Sequence, residues 1–156
     1  MKNDFQKKTA RYAAIETLYK LRQTKAPISQ IFEQAVAEGK VTGSDRQLAM
    51  KICYGVLRQK DYLDLILSHL CSQPVSRIKP FAYHALQTGL YQLFFLARVP
   101  ESAAVNETVK AVAAARLPRS IQGFVNGVLR QSIRQRPELP RPDSEPLLNH
   151  PKWLTA

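Results

Sequence analysis

"GFVNGVLR", residues 123–130, has the apolar spacing of a helix and yet carries Gly123, Asn126 and Gly127 within it. Glycine in a helix interior costs about 1 kcal/mol against alanine. Asparagine is also a poor helix former, because its amide competes for backbone partners. At the helical angular step, Arg119, Gly123, Asn126, Gly127, Arg130 and Arg134 share an arc of about 100°. Ile121, Phe124, Val125, Val128 and Leu129 take the opposite side. The glycines therefore lie on or beside a basic stripe. Two explanations fit them: they admit a crossing helix into which Asn126 hydrogen-bonds, or they let a ligand come close while the arginines fork onto phosphates.

The helical period extends outward from this stretch through the whole chain, and the alternating pattern of strands is missing. A first helix is expected over 5–23, with Ala10, Ala13, Ala14, Thr17, Leu18 and Leu21 on one face and Lys7, Lys8 and Arg11 off its edge. Pro27 suits the first turn of a second helix that Gly39 ends. "SDRQ" at 44–47 fits a capping box, with Ser44 as N-cap of a third helix to about Arg58. A fourth is expected over 61–71. Pro74 and Pro80 precede a strongly apolar central helix containing Phe81, Leu86, Leu90, Leu93, Phe94 and Leu96. Ser102 is a candidate cap for the next helix, with Val105, Val109 and Val112 inward, and Pro118 opens the last one, to about Arg136. Residues 137–156 hold five of the ten prolines and read as an extended linker. The fold class expected is all-α, a bundle of about seven helices over 1–136.

The charge is uneven. Net charge is +11, from 23 Lys and Arg against 12 Asp and Glu in 156 residues. Residues 1–25 hold seven bases and two acids, and 107–136 hold six bases and one acid, so two short segments carry nearly all of the excess. Clustering of this kind points to a polyanion, most simply a nucleic acid. Cys53 and Cys71 have no ligand-like spacing with histidine, so the expectation is no metal and two buried free thiols in a reducing cytoplasm. No run is long enough for a membrane span and the N-terminus lacks a signal-peptide core, which together give a cytoplasmic expectation with no membrane partner.

"VPESAAVNETVKAV" (99–112) followed by "GFVNGVLR" resembles the NusB family of α-helical RNA-binding proteins. "DRQLAMKICYGVLRQKDYLDLIL" (45–67), "GLYQLFFLARVPESAAVNE" (89–107) and "FVNGVLRQSIR" (124–134) are similar to the NusB-like N-terminal domain of the RsmB (Sun/Fmu) rRNA cytosine-C5 methyltransferase family. "LLNHPKWL" (147–154) resembles the stretch that leads from that domain to the catalytic one. Stand-alone NusB proteins tend to carry an acid after "GVL", where Arg130 stands here.

The resemblance implies an RNA-binding module that positions a methyltransferase on small-subunit rRNA, with a C-terminal methyltransferase domain of a parent chain as partner. It implies S-adenosylmethionine for that absent domain and none for this chain, which has no Pro-Cys nucleophile and no glycine-rich loop after a strand. No catalytic residue is expected, and a monomer is. The basic start of the first helix, Lys7, Lys8 and Arg11, corresponds to a segment that meets RNA in NusB proteins. Lys110, Arg116, Arg119, Asn126, Arg130 and Arg134 complete the candidate RNA-binding set. Arg46 and Arg58 are weaker candidates, because Asp45, Asp61 and Asp64 are within local pairing range. Asn106 and Glu107 are expected to satisfy helix-start amides and hold an interhelical contact, His69 and His84 to be ordinary core or surface residues, and Trp153 to dock on a neighbouring surface. The alternatives are a stand-alone NusB-type transcription regulator and a helical protein-interaction domain.

Overall fold

The computed structural model describes residues 7–142, which form seven α-helices and no strand. They are α1 (Ala10–Leu21), α2 (Ile28–Glu38), α3 (Gly43–Arg58), α4 (Lys60–Leu70), α5 (Pro80–Phe95), α6 (Glu101–Ala114) and α7 (Arg119–Gln135), with short 3-10 turns at Val75–Arg77 and Arg136–Glu138.

The apolar central helix is α5. Every residue from Ala82 to Leu93 is buried, and α1, α3, α4, α6 and α7 all pack against it. A helix buried all round needs such a complete sheath. Two glycines make the packing close enough. A Cβ on Gly89 would lie 2.6 Å from the Cδ1 of Leu129 on α7, and one on Gly55 of α3 would overlap the ring of Tyr91. The helix α2 stands outside this core and packs on α1, sharing a small second cluster of Ala10, Ala13, Phe32, Val36, Val41 and Ala49.

Several helix starts differ from the sequence reading. The first helix begins at Ala10, because Thr9 is the N-cap and its side chain accepts the Tyr12 N–H at 3.1 Å. Lys7 and Lys8 thus precede the helix, and the Lys8 N–H donates to the Gly39 carbonyl at 2.7 Å. Pro27 is the N-cap of α2 rather than its first helical residue. Gly39 ends α2 in a right-handed conformation and Lys40 takes the positive φ of 55°. The glycine serves close approach instead, since a Cβ there would sit 2.9 Å from the Lys8 side chain. Ser44 is not a cap: Thr42 is the N-cap, with no side-chain cap bond, and Gly43 enters the helix at a φ of 60° that favours glycine. Ser102 likewise lies inside α6, whose N-cap is Pro100. Of the inward valines of α6, Val105 and Val112 are buried and Val109 is half-buried. On α1 the missed core residue is Ile15, while Leu21 is only half-buried.

The start of the proline-rich stretch is docked on the bundle. Leu139 is buried, the Tyr62 hydroxyl donates to the Pro140 carbonyl at 2.7 Å, and Arg136 lies over the Phe94 ring while donating to the Leu93 carbonyl at 2.6 Å. The rest of that stretch, with Trp153, lies outside the described residues, as does the beginning of the expected first helix. Cys53 is buried, and desolvation pushes its thiol up to about 12. Cys71 ends α4 and is only half-buried, contrary to expectation, because the chain leaves the helix there. Among the described residues no helix is long and apolar enough to cross a membrane.

Candidate nucleic-acid interface

The structure sorts the candidate residues into two groups, joined by α6. The first group surrounds a groove between the approach to α1 and the end of α6, lined by Lys7, Lys8, Tyr12, Lys110 and Arg116. The Lys8 ammonium lies 4.7 Å from the centre of the Tyr12 ring. Lys7 and Lys110 are exposed and each has an acidic neighbour, Asp45 at 3.8 Å and Glu107 at 3.3 Å. Such exposed pairs are weak and exchange readily for a phosphate. Arg116 follows α6 with a φ of 63°. A left-handed arginine is strained where glycine is the usual choice at a helix end. Its N–H donates to the Ala113 carbonyl and the Leu117 N–H to the Val112 carbonyl, which closes the helix.

Arg11 differs from its neighbours. It is half-buried, its Nε donates to Gln92 Oε1 at 2.8 Å, and Gln92 in turn donates to the Thr88 carbonyl and Thr108 Oγ1. Burial lowers its pKa, and Glu107 and Asp45 work against that shift. Arg11 is therefore built into the α1–α5–α6 junction and lends the groove its field more than a free side chain.

The second group is the arc on α7. Arg119, Arg130 and Arg134 are exposed, Asn126 is half-buried, and Val125, Val128 and Leu129 are buried on the far side. A Cβ on Gly123 or on Gly127 would meet nothing within 4 Å. Among the described residues no element packs on that face, which speaks against the crossing-helix explanation of these glycines. Asn126 bonds within its own helix, accepting from Arg130 Nε at 3.1 Å. The same guanidinium reaches across to α6, where Nη2 donates to Asn106 Oδ1 at 3.4 Å. Asn106 thus holds the interhelical contact expected of it, and Glu107 pairs with Lys110. Asn106 and Lys110 are one turn apart on α6, so a polar band runs from Arg130 through Asn106 and Lys110 to the groove.

Sequence reasoning missed Tyr12 and Asn106 as parts of this band. The Lys8–Tyr12 spacing of four residues was a usable signal for the first. Of the weaker arginine candidates, Arg46 pairs differently from expectation. Arg46 bonds Glu33 and lies over the Phe32 ring, and Asp64 bonds Lys60 and Tyr83. His69 is exposed, and His84 is buried in a hydrogen-bond network.

The chain covers 92% of itself in an alignment with ribosomal RNA small subunit methyltransferase B of Erwinia tasmaniensis, 35% identical over 146 residues, which is 33% of that protein. The corresponding protein of Escherichia coli O1:K1 / APEC is 34% identical over 149 residues, 86% of this chain and 34% of the relative. The chain thus spans about one third of the relatives it matches. Among solved structures, the crystal structure of antitermination factors NusB and NusE in complex with dsRNA superposes with a TM-score of 0.69 at 24% identity, covering 78% of this chain and 91% of that one. T. maritima NusB superposes at 0.66 with 22% identity, covering 78% and 86%. These two establish the fold. The NusB family pattern matches residues 8–134, most of the described body, and the chain belongs to the NusB family.

Proposed function

We propose that this domain binds small-subunit rRNA and positions on it an S-adenosylmethionine-dependent cytosine-C5 methyltransferase carried by the rest of a parent chain, in the cytoplasm. The observation that carries the reading is the open basic arc of α7, where a Cβ on Gly123 or Gly127 would meet no described residue within 4 Å and Arg119, Arg130 and Arg134 are exposed beside them. The band through Asn106 to the groove of Lys7, Lys8 and Lys110 supplies further phosphate contacts. The likeness to the N-terminal third of rRNA methyltransferase B supports the choice of rRNA. The described residues do not fit the cofactor. A glycine-rich turn between strand and helix is the usual cradle for a nucleotide cofactor, and residues 7–142 contain no strand. No step of methyl transfer is assigned to this chain.

The test is anisotropy titration of a labelled small-subunit rRNA fragment at several salt concentrations. The expected result is a linear fall of log K with log salt, steep enough for several phosphate contacts at about 0.7–0.9 each. Absence of RNA binding, or binding indifferent to salt, overturns the reading and leaves a protein-interaction domain.

A further inference from the structure

The three exposed arginines of the α7 arc are not alike. Arg119 and Arg134 have no hydrogen bond or ion pair among the described residues. Arg130 is tethered twice, its Nε donating to Asn126 Oδ1 at 3.1 Å on its own helix and its Nη2 to Asn106 Oδ1 at 3.4 Å on α6. A guanidinium only donates, so each amide meets it with the oxygen and turns its NH2 group away. Nη1 and the remaining N–H of Nη2 have no acceptor among the described residues. Arg130 therefore presents a fork of free N–H groups from a guanidinium held by two helices.

Such tethers matter for one kind of contact more than for another. A phosphate offers acceptor oxygens in several directions and takes a cation from any of them, so the untethered Arg119 and Arg134 suffice for it. A base edge carries its acceptors in one plane, and a bidentate contact needs a fork already lying in that plane. Holding the guanidinium beforehand removes the cost of ordering it on binding. The approach is open as well. Gly127, one turn before Arg130, has no side chain, and a Cβ there would meet nothing within 4 Å. A flat ring can reach the fork against the bare helix backbone.

We infer that Arg130, held by Asn106 and Asn126, reads the O6/N7 edge of one unpaired guanine in the bound RNA. That edge presents two acceptors and is the commonest base partner of an arginine fork. Adenine has an amino group in place of O6 and turns a donor towards the guanidinium. In an A-form duplex the edge lies in a major groove too deep and narrow for side chains, so the guanine belongs to a loop, a bulge or a strand end. The Arg130 charge serves the RNA backbone as its neighbours' charges do, and the fixed fork adds the base. Asn106 and Asn126 are positioning residues for it. The inference rests on the RNA-binding reading and adds to it a base preference at one point of the arc.

The test is anisotropy titration of the whole chain with labelled twelve-nucleotide oligouridines carrying one central replacement: guanine, 7-deazaguanine, hypoxanthine, adenine or cytosine. Hypoxanthine keeps O6 and N7, whereas 7-deazaguanine lacks only N7. The guanine and hypoxanthine strands are expected to bind alike, and about tenfold more tightly than the adenine and 7-deazaguanine strands. Asn106→Ala, which frees the fork from an exposed position, is expected to bring the ratio of guanine to 7-deazaguanine affinity close to one. Asn106→Asp keeps an oxygen for Arg130, so it is expected to retain that ratio while its charge lowers affinity for every strand. A merely structural or electrostatic role would not split the two variants in this way. Equal affinity for guanine and 7-deazaguanine, or a preference for cytosine, overturns the inference, and salt-dependent binding of the rRNA fragment then leaves the RNA reading intact. So does GMP that binds as tightly as the guanine strand, which would make a free nucleotide the ligand, or strands that fail to bind where the rRNA fragment succeeds. Failure of both strands and fragment removes the RNA reading as well.

Discussion

Four glycines sit in helix interiors of this bundle, past the first turn, and they divide into two pairs with opposite surroundings. Gly55 and Gly89 lie in the interior, where the Tyr91 ring and the Leu129 side chain occupy the space a Cβ would take. Gly123 and Gly127 lie on the open face of α7, where a Cβ would meet nothing within 4 Å. All four cost helix propensity. The interior pair recovers that cost through close packing of α3, α5 and α7. The α7 pair recovers nothing among the described residues, which is what the proposed RNA contact would account for. The pairs are a contrast between stability and binding written with one residue type.

The largest effect that would break the contrast is at Gly55. Tyr91 is buried and stacked on Phe95 with ring centres 5.2 Å apart, so its ring has little room to yield. Gly55→Ala is expected to destabilise by about 3 kcal/mol, the upper part of the usual cost of overpacking. Chemical denaturation measures it. A loss below about 0.5 kcal/mol, the scatter of ordinary surface substitutions, would erase the distinction between the two pairs.

Acid titration probes the same interior. Burial, the first cause, holds His84 at about 4 against 6.5 for the free side chain. Between those values the unfolded chain binds a proton that the folded one refuses, so stability falls as pH drops through the window. The contribution of this group is fully present above about 6.5 and has largely gone by about 4. Lowering pH from 7 to 4.5 is expected to cost about 2 kcal/mol through His84. Comparing denaturation curves of the wild type and His84→Phe at both pH values isolates it; equal pH dependence in the two proteins would show a histidine that titrates normally.

On the open side the readout is binding. Arg130→Glu removes the bonds to Asn126 and Asn106 from an exposed position, so stability is expected to change by no more than about 0.5 kcal/mol. RNA affinity is expected to drop about tenfold, and the salt slope to shrink by about 0.7–0.9 per lost phosphate contact. Arg116→Gly is expected to separate the two properties more cleanly. Relief of the left-handed backbone at φ 63° stabilises the free protein by about 1 kcal/mol, while loss of a groove cation weakens RNA binding. Denaturation and salt-dependent titration of the same samples check both signs. Tighter RNA binding in either variant would put the RNA elsewhere.

How much of this was legible in the sequence follows from the range of the interactions. The seven helices and the division of α7 into apolar and basic sides rest on local periodicity, which the sequence displays directly. The helix starts were less legible. Ser44 looked like a cap because capping boxes are read from side chains, whereas the backbone of Gly43, at φ 60°, had already turned the chain into the helix. The family resemblance carried the choice of Lys7, Lys8 and Arg11. Only the packed structure shows that Arg11 is tied to Gln92, 81 residues away in sequence. His84 and Gln87 are close enough in sequence for their bond to be guessed. The Asp64 carboxylate that orients the pair comes from another helix, and no local pattern announces it.

The smallest expected effect lies at Gly127, and it bears most directly on the contrast. Because the face is open, Gly127→Ala adds a methyl group to solvent and removes the propensity cost of glycine, so the free protein is expected to gain up to about 1 kcal/mol. The same methyl group stands between Asn126 and Arg130 on the arc, where an approaching sugar–phosphate backbone would meet it. RNA affinity is therefore expected to fall by a few-fold, with the salt slope unchanged, because no phosphate contact is lost and only the fit is impaired. Opposite signs for stability and affinity would show that α7 keeps a glycine for something outside the chain. A variant that gains stability and binds RNA as well as the wild type would remove Gly127 from the contact surface. The groove of Lys7, Lys8, Lys110 and Arg116 would then carry the interface, with α7 reduced to its scaffold. Paired denaturation curves and RNA titrations at two salt concentrations decide between them.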